Sequence, residues 1–357
     1  MKKYLLLILS LTIILVTGCG TGGSGKTPHT HTFTEGVCSC GEKDPNYKAP
    51  QNLDNNIEMH KVFYKYDELT KSEYGYIYIG YYPQSEITDE YHTKKLDKIT
   101  EVNERGYIEY DGHEVMKVTV VNNHIYASPE QSGDDIFEYG TGYAPGTTHY
   151  FLVEPLAWKV LKYNEFTGEM VLQTENIIDT RRYYENEDTR FIDGRTVYAN
   201  EYEHSEIRKW LNEEFFNLCF TSEEQQLVKE VINQNQAATK SQNIREEYVY
   251  NDTHDLVYLM SYQEATSAEF GFAPGKLCDP SRFATASDFA NAKGLIKHKV
   301  LDDEGYLIVS SIWMTRTVFE FNTYAISYVG YDGSGATDFY VDAPNVGIRP
   351  CCTIVLK

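Results

Sequence analysis

The residues best suited to chemistry lie near the start of the chain. His29-Thr30-His31 is followed by Cys38-Ser39-Cys40, with Gly36 between the two pairs. Residues two apart point to the same face of a strand. A turn at Gly36 therefore folds His29, His31, Cys38 and Cys40 toward one point. Two imidazoles and two thiolates make a tetrahedral set that suits zinc. Four protein ligands leave no open coordination position, so such a zinc is expected to be structural. A Cys38–Cys40 disulfide, or two free thiols on a linker, is the competing reading.

Further along, the residues fitted to hold a ligand are Trp158, Trp313, Arg316 and Arg349. A Trp ring can stack on a sugar or a peptide, and the planar Arg fork recognises carboxylates. Each has a plainer reading beside it. Trp158 alternates with Val160 and suits a core, and Arg349 suits a buried acid or a backbone carbonyl. Catalytic motifs are missing: there is no Gly-x-Ser-x-Gly elbow and no His-Glu-x-x-His pair. Gly20 to Thr27 spells the letters of a phosphate-binding loop. That loop works only between a buried strand and a helix. Here Pro28 follows and no strand precedes, so no nucleotide is expected.

The chain must then supply elements to position these residues. Its 357 residues allow one large domain or two ordinary ones. Hydrophobic residues make up 41% and charged residues 24%, as in a folded globular protein. The formal charge of −21, with no basic patch against it, argues against nucleic acid as a partner. Thirty Tyr against 16 Phe implies many rings with one face packed and the hydroxyl in water.

Lys2 and Lys3 precede an apolar run from Tyr4 to Val16. Thirteen helical residues span about 20 Å, short of the roughly 30 Å hydrocarbon core. This reads as a signal peptide over 1–18 rather than a membrane span. Leu15-Val16-Thr17-Gly18-Cys19 resembles a bacterial lipobox. The resemblance implies a lipid on Cys19, and so attachment to the membrane through that lipid. Residues 19–28 are then a flexible Gly/Ser spacer, 29–47 the Cys/His knuckle and 48–71 a polar lead-in.

The body, 72–357, reads as α+β: antiparallel sheets with a few short helices. Tyr76 to Tyr82 alternates as a strand that Pro83 should end. Asp111-Gly112 marks a two-residue hairpin. Tyr150 to Leu161 and Met170 to Thr174 are strands around a turn at Gly168. Ser205 caps a helix whose apolar stripe is Ile207, Trp210, Leu211, Phe215 and Leu218. Further strands are expected over Asp255–Met260, Tyr306–Met314, Ala325–Tyr331 and Gly347–Leu356. Strands scattered among helices, without strand–helix alternation, fit α+β rather than α/β.

Seven motifs in this order resemble an uncharacterised domain family of Gram-positive secreted and surface proteins. They are Gly80 to Gln84, Tyr110 to Gly112, Glu154 to Leu161, Ser205 to Asn212, Asp255 to Ser261, Trp313 to Thr317 and Gly347 to Pro350. The order and the closing Gly-x-Arg-Pro strand also resemble the C-type-lectin-like fold of formylglycine-generating enzymes. Cys351 and Cys352 are adjacent and outside any reactive-Cys motif, so that activity is not expected here. The resulting expectation is a binding or adhesion module for a saccharide or peptide, held by lipid on the outer face of the cell membrane. An extracellular enzyme acting on cell wall or peptide is the alternative.

Overall fold

Asp111 and Gly112 both adopt positive φ, 52° and 85°, the backbone of a primed hairpin turn. They join Ile108–Tyr110 to His113–Thr119. The second of these lies along the start of Thr148–Asn164, a 17-residue strand that is the spine of an eight-stranded sheet. Tyr76–Glu86 pairs with the middle of the spine and Glu169–Thr174 with its end. Cys351–Val355 comes next and pairs on its far side with both Val228–Lys229 and Val257–Tyr258.

A five-stranded sheet carries Gly335–Tyr340, Ala325–Val329, Trp313–Val318, Gly347–Ile348 and Asp179–Thr180 in that order. The computed structural model describes residues 13–14, 31–34, 36–50, 53, 75–120, 143–235, 251–275, 278–301, 307–319 and 321–355. They form the expected α+β fold, antiparallel but for the single pairing of Trp313 with Gly347 and the Ile177–Ala286 bridge. Among the described residues, no helix is long and apolar enough to cross a membrane.

Three expectations about elements are corrected. Pro83 does not end its strand, which runs from Tyr76 to Glu86. Among the described residues that strand has a partner on one side only, and edge strands tolerate proline. The strand expected over Tyr306–Met314 is two: Leu307–Ser311 and Trp313–Val318 belong to different sheets. The closing strand is likewise split, with Gly347–Ile348 in the five-stranded sheet and Cys351–Val355 in the eight-stranded one. Arg349-Pro350 is therefore a crossing between sheets. Proline cannot donate to a ladder, which suits the place where one ladder stops.

The Ser205 helix forms as expected. The Ser205 hydroxyl accepts the Arg208 N–H, and Glu206–Lys209, Trp210–Phe215 and Phe216–Cys219 follow without a break. The middle segment is wound as a π-helix. Ile207, Leu211 and Phe215 are fully buried in a core that also holds Trp158, Leu172, Trp313 and Ile348. A smaller core of Ile87, Leu96, Ile108, Val115, Tyr150 and Leu152 lies under the Glu90–Leu96 helix.

Candidate functional site

Two places gather functional side chains. The first is the hairpin of Thr32–Thr34 and Val37–Cys38. Gly36 makes its turn at φ 76°, and a Cβ there would lie 2.3 Å from the Tyr47 ring, so only glycine fits. Phe33 is buried and stacks on His31 at 5.8 Å between ring centres. The ligand atoms of His31, Cys38 and Cys40 all lie within 4.8 Å of one another. Cys40 Sγ is 3.4 Å from His31 Nδ1. Cys38 is buried and the other two are half-buried. These three residues can hold a metal ion. His29, the expected fourth ligand, lies outside the described residues, as do Cys19 and the spacer.

The second place is a cleft of about 330 Å³ in the body, with Arg316 and Glu264 in its lining. Glu264 closes a capping box with Ser261 at the start of the Tyr262–Ala265 helix. Its other work is to bind Arg316 through both oxygens: Nη1 donates to Oε2 at 2.6 Å and Nη2 to Oε1 at 3.0 Å. Arg316 also donates from Nη1 to the Leu259 carbonyl at 2.7 Å and from Nε to Asn235 Oδ1 at 3.2 Å. Burial raises the Glu264 pKa, but the Arg316 charge and hydrogen bonds outweigh it and hold the carboxyl below its usual range. Burial likewise lowers the Arg316 pKa, and Glu264 more than reverses this. Around this pair the rim offers Ile232, Asn233, Gln263 and Phe270. Ile232 is 59% exposed although it is apolar. The arrangement presents planar hydrogen-bonding groups beside an aromatic ring, which is binding chemistry.

Of the four residues expected to touch a ligand, only Arg316 reaches the cleft. Trp158 is fully buried; its indole donates to the Ile79 carbonyl at 2.9 Å and it stacks on Phe220. Trp313 is also fully buried and donates to the Arg282 carbonyl at 3.1 Å. Neither ring has a face free for stacking on a sugar, so the platform expectation is corrected for both. Arg349 is 2% exposed, donates from Nε to the Thr174 carbonyl at 2.8 Å and lies over the Trp313 ring. It has the plainer role weighed above, bridging the sheets. The Asp332 loop turns on itself, with the Ser334 N–H on Asp332 Oδ1.

The recurring motifs mostly hold the frame. Asp255 accepts Arg208 Nε at 2.6 Å, Asn233 at 2.8 Å and the Thr253 hydroxyl at 2.6 Å. Asn212 accepts the Leu256 N–H and donates to the Val257 carbonyl. The Ser205–Asn212 and Asp255–Ser261 motifs are thus one joint between a helix and a strand. A Cβ on Gly347 would lie 2.7 Å from both the Ile312 carbonyl and Ile177, which fixes that glycine. Glu264, Gln263 and Phe270 were not among the expected site residues. The Ser-x-x-Glu signature at Ser261 marks Glu264 as a cap but gives no sign of its bond to Arg316.

No curated protein and no solved structure matches the chain. A family model described as a domain of unknown function, DUF6273, matches residues 167–356. The match begins at the turn after the spine strand, so the earlier strands complete a sheet that the matched part shares. With more than half of its length under that model, the chain belongs to the DUF6273 family.

Proposed function

We propose that the chain is a lipid-anchored module on the outer face of a Gram-positive cell membrane, and that its Arg316 cleft binds a saccharide. The observation that carries the reading is the cleft itself. Its lining has an ion pair at Arg316–Glu264 and, near it, Gln263, Asn233 and Phe270. Amide, carboxylate and guanidinium groups pair with adjacent hydroxyls, while an aromatic ring face packs on the apolar C–H face of a sugar. Cys19 carries the anchor, and the acidic body stays off an anionic membrane surface. Zinc held by His29, His31, Cys38 and Cys40 stiffens the segment between anchor and body. A peptide is the competing ligand, but Glu264 already takes both terminal nitrogens of Arg316, so a peptide carboxylate would have to share the guanidinium with it.

The test is a glycan array and a peptide array probed with the whole chain, then titration of the best hit. Gln263→Ala and Phe270→Ala remove rim groups without touching the ion pair. Each is expected to weaken saccharide binding by about tenfold, the worth of one good hydrogen bond or stacking contact. Wild-type affinity in both variants, or hits confined to peptides, overturns the saccharide reading.

A further inference from the structure

One row of side chains runs across the eight-stranded sheet on the face opposite Leu172. Tyr76, Lys159, Gln173, Cys351 and Tyr258 each directly oppose the next across neighbouring strands. Such partners have Cβ atoms about 5 Å apart. Gln173 is fully buried, and neither atom of its amide has a hydrogen-bond partner among the described residues. Native interiors rarely leave both ends of an amide unpaired. Lys159 stands on one side of it and Cys351 on the other.

Glu175 completes the group. It lies two residues beyond Gln173, and its N–H continues the ladder to the Ala157 carbonyl. Its Oε1 accepts the Tyr76 hydroxyl at 3.1 Å. Tyr76 belongs to the strand beyond Lys159, so the carboxylate reaches across the Lys159 strand. Its Oε2 is buried without a hydrogen bond among the described residues and faces the Arg349 guanidinium at 4.0 Å. Burial, and then the Arg349 charge, lower the Lys159 pKa, which raises the share of free amine. Burial pushes the Cys351 thiol up, so it stays protonated and a poor nucleophile.

We propose that Lys159 and Gln173 become joined by an intramolecular amide bond that the fold makes for itself. The Lys159 amine adds to Cδ of Gln173 and forms the new C–N bond. Glu175 accepts the proton that Nζ loses. The old C–N bond of the side-chain amide breaks, and its nitrogen leaves as ammonia after taking that proton from Glu175. No oxidant and no cofactor enters, and the carboxylate is returned unchanged. The bond staples the spine strand to its neighbour and leaves the buried amide with one N–H in place of two. It is independent of what the Arg316 cleft binds.

The test is peptide mapping of the full chain by mass spectrometry. Trypsin does not cut after an acylated lysine. The expected product is residues 118–162 joined to residues 163–181, lighter than the two together by one ammonia. Lys159→Arg keeps the charge but cannot form the bond, and should return residues 118–159, 160–162 and 163–181 as separate peptides. Glu175→Ala, shown to be folded by circular dichroism, should slow the joining at least a hundredfold. Separate peptides with an intact Gln173 in the folded wild-type chain overturn the proposal. A link that survives in Lys159→Arg and opens with hydroxylamine is a thioester to Cys351, and overturns the assignment to Lys159.

Discussion

The hairpin at Gly36 and the cleft at Arg316 both gather groups that are costly to leave alone, and they resolve this in opposite ways. In the hairpin, His31, Cys38 and Cys40 converge with little apolar packing beyond Phe33. Their ligand atoms lie within 4.8 Å of one another, close enough for one cation to bind all three. In the body, Arg316 and Glu264 reconcile each other, and backbone and Asn235 take up further Arg316 donors. A small segment has little core of its own and gains most from a guest, whereas a large core can make its own pairs. The difference predicts that the two regions respond to different insults.

The largest effect should come from Arg316→Ala. It leaves Glu264 without its partner and frees the Leu259 carbonyl and Asn235. Breaking a buried pair costs about 3–5 kcal/mol, which urea denaturation of the wild-type and variant chains would show. A cost below about 1 kcal/mol would mean that the cleft is wetter than its geometry indicates.

Next comes acid. The Glu264 carboxyl is held below its ordinary value in the fold, so the unfolded chain binds the proton more tightly. Its stabilising contribution is complete above the unfolded value of about 4.3 and fades as pH falls through the lower folded value. Glu264→Gln should therefore flatten the loss of stability in that acid window and leave its slope near neutrality unchanged. An unaltered acid slope in the variant would contradict the pairing.

The smallest effect sharpens the contrast by being confined. A strong chelator should strip the metal from the hairpin and leave the main unfolding transition of the body in place. About one zinc per chain is expected, measured by elemental analysis beside a thermal scan. A main transition that falls with the metal would place the ion in the body instead.

What could be read from the order of residues follows the range of the forces involved. Asp111-Gly112 and the Ser205 stripe declare themselves because a turn and a helix are settled within a few positions. His31, Cys38 and Cys40 are legible for the same reason, since one glycine turn brings them together. The Arg316–Glu264 pair spans 52 positions, and nothing local to either residue names the other. Trp158 and Trp313 show the converse limit. Their type suits a surface platform and a core equally, and only their neighbours decide. The seven motifs were readable as a pattern, yet Arg208, Asn212 and Asp255 build a joint rather than a reactive centre. A family can thus be recognised by its frame, while the cleft is lined by less regular residues such as Gln263 and Phe270.

The crossing at Arg349-Pro350 has a consequence for timing. Val228–Lys229 and Val257–Tyr258 have Cys351–Val355 as their partner strand in the eight-stranded sheet, and Asp179–Thr180 joins the other sheet through Gly347–Ile348. Those closing strands follow all of their partner strands along the chain. Neither sheet can be completed before these strands are made, and until then the emerging chain waits with its partner edges open. Such long-range closure slows folding. It also ties the two sheets to one event, since the same short stretch of chain closes both.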